Sequence, residues 1–219
     1  MRAPRMIALG AICTTTVYRV DTIAPPPAKV LAQEMIQVVD GMAISAACAF
    51  HKLGGQAEVW ARLGDDPLGL AARDALRLEG LNVDGLNCLP KTRSSQATVI
   101  VDARGERLVI PFHDAGIDTS PDWLPLEHLD QADILHCDLR WPEGAELAMH
   151  SALTRGVATM LDGEIGPRDI LARLVPLATY AVFSDAGVRA FAGLHDIEAC
   201  LRWVNSLPHQ LPPNLRLLH

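Results

Sequence analysis

Aromatic residues are scarce in this chain, at 5% of 219 positions, although hydrophobic residues reach 49%. A core drawn from such a sequence must be aliphatic and rich in alanine, and the length is ample to bury one. Basic clusters are also missing. The formal net charge is −7, and no Lys/Arg run could neutralise several phosphates, which argues against nucleic acid as a partner. No basic amphipathic helix marks a membrane surface, and no apolar run approaches the roughly 18 residues of a membrane span. The cysteines (Cys13, Cys48, Cys88, Cys137, Cys200) form no Cys-x-x-Cys and have no histidine at ligand spacing. They read as reduced thiols of a cytoplasmic protein. The opening MRAPRMIALGAIC could be mistaken for a secretory signal, but Met6–Cys13 is short and no small-x-small site follows it, so a first strand ending at Gly10 is the expectation.

Motifs that would announce a chemistry are absent as well. There is no His-Glu-x-x-His and no Gly-x-Ser-x-Gly, and Gly54-Gly55 lacks both the Gly-x-Gly-x-x-Gly and the Walker pattern. A dedicated metal centre is therefore not expected, apart from Mg²⁺ held loosely near carboxylates. Nor is there an internal repeat, a low-complexity segment or a long linker, so residues 1–219 read as a single domain.

What is present is strand–helix alternation. Met6–Leu9 reads as a buried strand, Val17–Val20 and Val30–Val39 as extended segments either side of Pro25-Pro26-Pro27, and Gly41–Leu53 as a helix. The small residues Ala43, Ala46, Ala47 and Ala49 should let that helix lie close against a sheet. Glu58–Leu63 is a strand, Asp66 an N-cap, Pro67 a first-turn residue and Gly80 a helix stop. Thr98–Asp102 and Leu108–Phe112 flank the hairpin signal Ala103-Arg104-Gly105. From residue 132 the order is strand Ile134–Cys137, helix Glu143–Arg155, strand Val157–Leu161, helix Arg168–Leu177, strand Tyr180–Phe183, a short helix, helix Ile197–Ser206 and an apolar strand-like run Leu215–Leu218. Such repetition means βαβ units, a parallel sheet and an α/β fold.

Ligands of open parallel sheets bind beyond the carboxyl ends of the strands. Three successive strands end there in polar residues: Asp138 with Arg140, Asp162 with Glu164, and Ser184 with Asp185. Each acid could equally cap a helix or sit in a solvated turn, but three strand ends in a row suit a site for cations, hydroxyls or phosphate. Arg140 offers a planar fork for an oxyanion. Glu106 and Arg107 read as hairpin bracing, and His51 as a packed or surface residue.

Arg62-Leu63-Gly64-Asp65-Asp66-Pro67-Leu68-Gly69, followed by Leu76, Gly80 and Leu81 and preceded by an Ala-rich helix and Leu53-Gly54-Gly55, resembles the N-terminal signature of the ribokinase (phosphofructokinase B) family of carbohydrate kinases. The hairpin Val101–Arg107 and the later βαβ units agree in order, so the resemblance covers nearly the whole chain. Ser94–Gln96, Asp138-x-Arg140-Trp141, Gly144-Ala145, Leu161–Ile170 and Phe183–Gly187 are most similar to sulfofructose kinases. The resemblance implies a ribokinase-like fold with a small β lid, near 14–38 and 95–114, through which two copies could pair. It implies a sugar acceptor, ATP and Mg²⁺. It also implies a sulfonate held by a lysine on the lid approach, a lid asparagine and the Asp-x-Arg-Trp arginine. Lys29 and Arg140 match two of these positions, and Pro111 stands at the third. The family's Gly-Gly is Asp40-Gly41 here, its polar residue a few positions on is Ser45, and its first-strand aspartate aligns with Thr15. Asp40 could bond sugar hydroxyls or cap the helix that follows. The acceptor side is thus expected at Lys29, Asp40, Gly41, Asp138 and Arg140, and the nucleotide and Mg²⁺ side at Asp162, Glu164, Ser184 and Asp185.

No catalytic residue is expected within the chain. The resemblance places the base in a Gly-Ala-Gly-Asp segment, which residues 1–219 do not contain. A truncated, inactive kinase is the expectation, with a non-catalytic sugar-binding or dimerising remnant as the alternative. A generic nucleotide-binding α/β domain is a weaker reading, because it has no need of a lid hairpin.

Overall fold

The run Met6–Leu9 has no polar position, as a strand buried on both faces requires. A computed structural model describes residues 2–210. In it β1 (Arg5–Leu9) lies within a six-stranded sheet, between β4 (Gln56–Gly64) and β8 (Ile134–Cys137). β5 (Leu86–Leu89) extends the sheet beyond β4, while β9 (Ala158–Gly163) and β10 (Tyr180–Phe183) extend it beyond β8. Every pairing is parallel. Side chains of β1 alternate between two cores. Ile7 and Leu9 join Trp60, Leu135 and Cys137 beneath α3 (Pro142–Thr154), while Met6 and Ala8 join Val59 and Ala61 beneath α1 (Met42–Lys52) and α2 (Pro67–Leu78). Complete burial of a side chain such as Leu9 contributes about 2 kcal/mol. Ala43 and Ala47 are fully buried, and α1 packs closely on β1 and β4, as its small residues predict.

A second, mixed sheet consists of β2 (Cys13–Arg19), β3 (Glu34–Asp40), β6 (Gln96–Val101) and β7 (Arg107–Phe112). Its strand order is β3-β2-β6-β7. β2 pairs in parallel with β6; the outer pairings are antiparallel. The β6–β7 turn is the expected hairpin, with one carboxylate oxygen of Asp102 accepting the Arg104 and Glu106 backbone N–H groups at 2.9 and 3.0 Å. Asp66 caps α2: it accepts the Gly69 N–H at 2.8 Å, and it also bonds the Ser94 N–H and hydroxyl at 3.0 and 2.7 Å. Burial pushes its carboxyl up, but the bonds from Ser94 and Gly69 outweigh this and hold it below the usual range. The Gly-Asp-Asp turn therefore ties a helix start to the root of the second sheet.

Several elements differ from expectation. The β-branched run Thr14-Thr15-Thr16 carries β2 back to Cys13, and β3 begins only at Glu34 because residues 20–33, with three prolines, remain outside the ladder. Pro176 lacks a backbone donor, so the helix expected over 168–177 divides into α4 (Arg168–Leu174) and a 3-10 turn, Val175–Leu177. α5 (Asp185–Ala192) and α6 (Ile197–Asn205) follow. β5 and the 3-10 turn Leu126–Gln131 were not legible beforehand. The strand-like run Leu215–Leu218 lies outside the described residues. No described helix is long and apolar enough to cross a membrane.

Candidate active site at the lid root

β1 hands over to β2 across Gly10–Ile12, and β3 returns to α1 through Gly41, so the second sheet stands over the carboxyl edge of the first. A cleft of about 370 Å³ opens at this junction, its wall including Gly10, Ala11, Arg62, Ser95, His113 and Arg140. Another cavity, about 410 Å³, lies at the opposite edge among Arg5, Glu58 and His128. The carboxyl-edge rule favours the first.

Asp138 organises the edge without facing the cleft. Its side chain is fully buried. One oxygen accepts the Arg140 N–H at 2.8 Å, and the other accepts those of Ala11 and Ala43 at 3.3 and 3.5 Å. Three segments thus meet on one carboxylate: the β1 exit, the α1 start and the Arg140 turn. Gly10 permits the approach, since a Cβ there would lie 2.0 Å from Asp138 Oδ2. Burial outweighs these bonds and the nearby Arg140 charge, raising Asp138 to about 6.

Asp40 does not cap α1. Gly41 is the N-cap and no side chain bonds there, whereas Asp40 accepts the Thr15 hydroxyl at 2.9 Å. Thr15, standing where the resemblance has an acid, and Asp40 therefore form one polar pair at the lid base. Gly41 has φ 145° and ψ 151°, and a Cβ on it would lie 2.1 Å from the Ala11 carbonyl oxygen. Only glycine fits both conditions. Arg140 is exposed in the cleft wall. Lys29 is exposed on the loop between β2 and β3 and does not line the cleft, so the two residues matched to a sulfonate site are not brought together.

At the next strand ends, burial pushes the Asp162 carboxyl up and the neighbouring Glu164 charge pushes it further, with Arg140 opposing. Ser184 is the N-cap of α5, accepting the Gly187 N–H at 3.0 Å. Asp185 pairs with Arg189 at 3.0 Å on the same helix. Among the described residues no group of three His, Cys, Asp or Glu side chains could enclose a metal ion.

Sequence reasoning missed three cleft groups. Ser95 and His113, bonded at 3.0 Å, stand at neighbouring lid strand ends, a proximity set by the β6–β7 pairing. Arg62 stands in the Gly-Asp-Asp motif itself; its place next to the C-terminal residues of β4 was the available signal.

The profile of the pfkB family of carbohydrate kinases matches residues 4–215. A solved ribokinase candidate from Agrobacterium tumefaciens is 33% identical, with a TM-score of 0.90 over 94% of this chain and 67% of that one. The ribokinase of Arabidopsis thaliana, solved with ribose and ATP, is 17% identical with a TM-score of 0.79, covering 95% of this chain and 70% of that one, and shares the fold. The ATP-dependent ribose-1-phosphate kinase of Halopiger xanaduensis is 23% identical over 75% of this chain and 56% of its own length. The potato (Solanum tuberosum) fructokinase is 29% identical over 48% of this chain and 34% of its own. The chain spans about half or less of the curated relatives it matches. With a mostly parallel sheet flanked by helices and a smaller mixed sheet over its carboxyl edge, this ribokinase-like chain belongs to the pfkB family of carbohydrate kinases.

Proposed function

We propose that the protein is a sugar kinase. It binds its acceptor in the cleft between the lid and the main sheet, and it serves transfer of the terminal phosphoryl group of ATP to an acceptor hydroxyl. A bond forms between that hydroxyl oxygen and phosphorus as the bond to the bridging oxygen of ATP breaks, and the hydroxyl proton passes to a base. The relatives named for ribose 1-phosphate, fructose and ribose support the substrate class. 6-Deoxy-6-sulfofructose is the acceptor favoured by the Asp138-x-Arg140-Trp141 resemblance. The carrying observation is the Arg140 side chain, exposed in the wall of a lid-covered cleft at the carboxyl edge.

In this reading Arg140 meets the acceptor's oxyanion, Lys29 reaches it only if the loop over 20–33 closes, and Asp40 offers a carboxylate to sugar hydroxyls. Asp138 and Gly41 position the edge. Asp162, Glu164, Ser184 and Asp185 lie toward nucleotide. Asp162 and Glu164 suit Mg²⁺ that keeps most of its waters and takes one or two carboxylates. Mg²⁺ would supply charge neutralisation on the phosphates.

Calorimetry provides the test. Sulfofructose or fructose should bind the protein, and Arg140→Ala should weaken sulfofructose at least about tenfold, the scale of a lost charge-assisted bond. Absence of binding by sugars and by ATP would remove the reading.

The lid supports a second copy as partner. Met35, Ile36, Val38, Leu108, Val109 and Ile110 are all exposed on β3 and β7, the two free edges of that sheet. Open apolar edges are normally covered. Sedimentation velocity at micromolar concentration should report a dimer that Ile110→Lys converts to monomer; a wild-type monomer would refute the pairing.

A further inference from the structure

The two arginines of the cleft wall have acids nearby but make no direct ion pair with them. Among the described residues neither Arg62 nor Arg140 enters an ion pair. Arg62 is half-buried, and its guanidinium lies 4.4 Å over the Trp141 ring while Nη1 donates to the Asp118 carbonyl at 2.9 Å. Trp141 is itself fixed, stacked on Trp123 at 5.3 Å and donating its indole N–H to the Thr119 carbonyl at 2.9 Å. The fork is therefore held in one orientation before any ligand arrives, which reduces the ordering cost of binding.

Burial pushes Arg62 down, opposed by the carboxylates of Glu143, Asp118 and Asp138, which act on it through space without accepting a bond from it. A partly desolvated cation lacking a bonded counter-charge favours an anion that supplies one. The acid in the cleft wall does not do so: Asp114 accepts the Arg93 and Gly116 N–H groups, each at 2.9 Å, and faces the Arg93 side chain.

We infer that Arg62 is a specificity-determining residue that shares with Arg140 a two-guanidinium seat for an anionic substituent of the acceptor sugar. The substituent is a carboxylate, sulfonate or phosphate ester. The inference rests on the sugar-kinase reading, in which Arg140 already meets an oxyanion, and adds to it Arg62 as a second recognition group. Ser95 and His113 supply polar contacts for hydroxyls on the adjoining wall.

The rival role for Arg62 is a brace, since its bond to Asp118 also anchors the segment leaving the lid. A brace would weaken every ligand alike; a seat reads charge. The test titrates matched pairs, 6-deoxy-6-sulfofructose against fructose and gluconate against glucitol, following calorimetric heat and total tryptophan fluorescence. The wild-type protein should prefer the charged member at least about tenfold. Arg62→Gln should reduce that preference about fivefold or more, leaving the neutral member within about twofold; these are the changes expected when one of two charged contacts is lost. Arg62→Lys, which keeps the charge but loses fork and stacking, should fall between them and serves if the glutamine variant melts early. Equal binding of charged and neutral members, or an unchanged preference in both variants, overturns the seat while leaving a sugar kinase standing. Failure of every sugar to bind overturns both.

Discussion

Asp138→Ala is expected to lower the melting temperature by about 6–12 °C, corresponding to about 3 kcal/mol for a chain of this size. The substitution leaves the backbone N–H groups of Ala11, Ala43 and Arg140 without their acceptor. Because these lie on three different segments, sugar binding should weaken together with stability. Calorimetric melting checks the first effect and sugar titration the second; a variant within about 2 °C of wild type would show that the carboxylate does not hold the edge.

The same residue carries a pH signature. Its folded value of about 6 lies above the ordinary 3.8. A carboxyl raised on folding adds stability that is fully present below the unfolded value and is lost as pH rises through the folded one. The gap corresponds to about 3 kcal/mol. Asp138→Asn cannot titrate. Relative to this variant, the wild type should therefore be more stable at about pH 3.5 than at about pH 8, by about that amount in urea unfolding. A difference independent of pH, or one growing as pH rises, would contradict the burial argument.

Gly41→Ala should be the most damaging single methyl in the lid connection. The backbone conformation there is one that side chains avoid, and the new Cβ would overlap the Ala11 carbonyl oxygen, 2.1 Å away. Strain of about 1–3 kcal/mol adds to the overlap, so a loss of about 4 kcal/mol is expected. The Asp40–Thr15 pair and the Ala11 wall of the cleft should shift with it, weakening sugar binding even in whatever fraction stays folded. Urea midpoints and sugar titration measure the two effects. Wild-type behaviour in both would mean that the turn relaxes freely.

Much of the scaffold was legible because it depends on local chemistry. Strands Ile134–Cys137 and Tyr180–Phe183 agree with their apolar runs at both ends. Asp66 and Pro67 begin α2 where capping physics places them. The site was less legible because its contacts join distant segments. Asp138 was visible as a polar strand end, but its neighbours Ala11 and Ala43 are 127 and 95 residues away, and no spacing rule turns that acid inward. Asp40 was ambiguous between cap and ligand until its bond to Thr15 removed the cap. Arg62 stands out in the sequence only as part of the Gly-Asp-Asp signature, and its stacking on Trp141 depends on β4 and the α3 start meeting in space.

The lid enters the sequence as two excursions, β2–β3 and β6–β7, each leaving and rejoining near one edge of the main sheet. Its strands contribute little to either aliphatic core. A change on those strands touches few core contacts, whereas a change at Asp138, Gly41 or the Gly-Asp-Asp turn acts directly on the junction. The lid and the main sheet are therefore packed largely apart, and the junction at Asp138 and Gly41 is what makes them one mechanical unit.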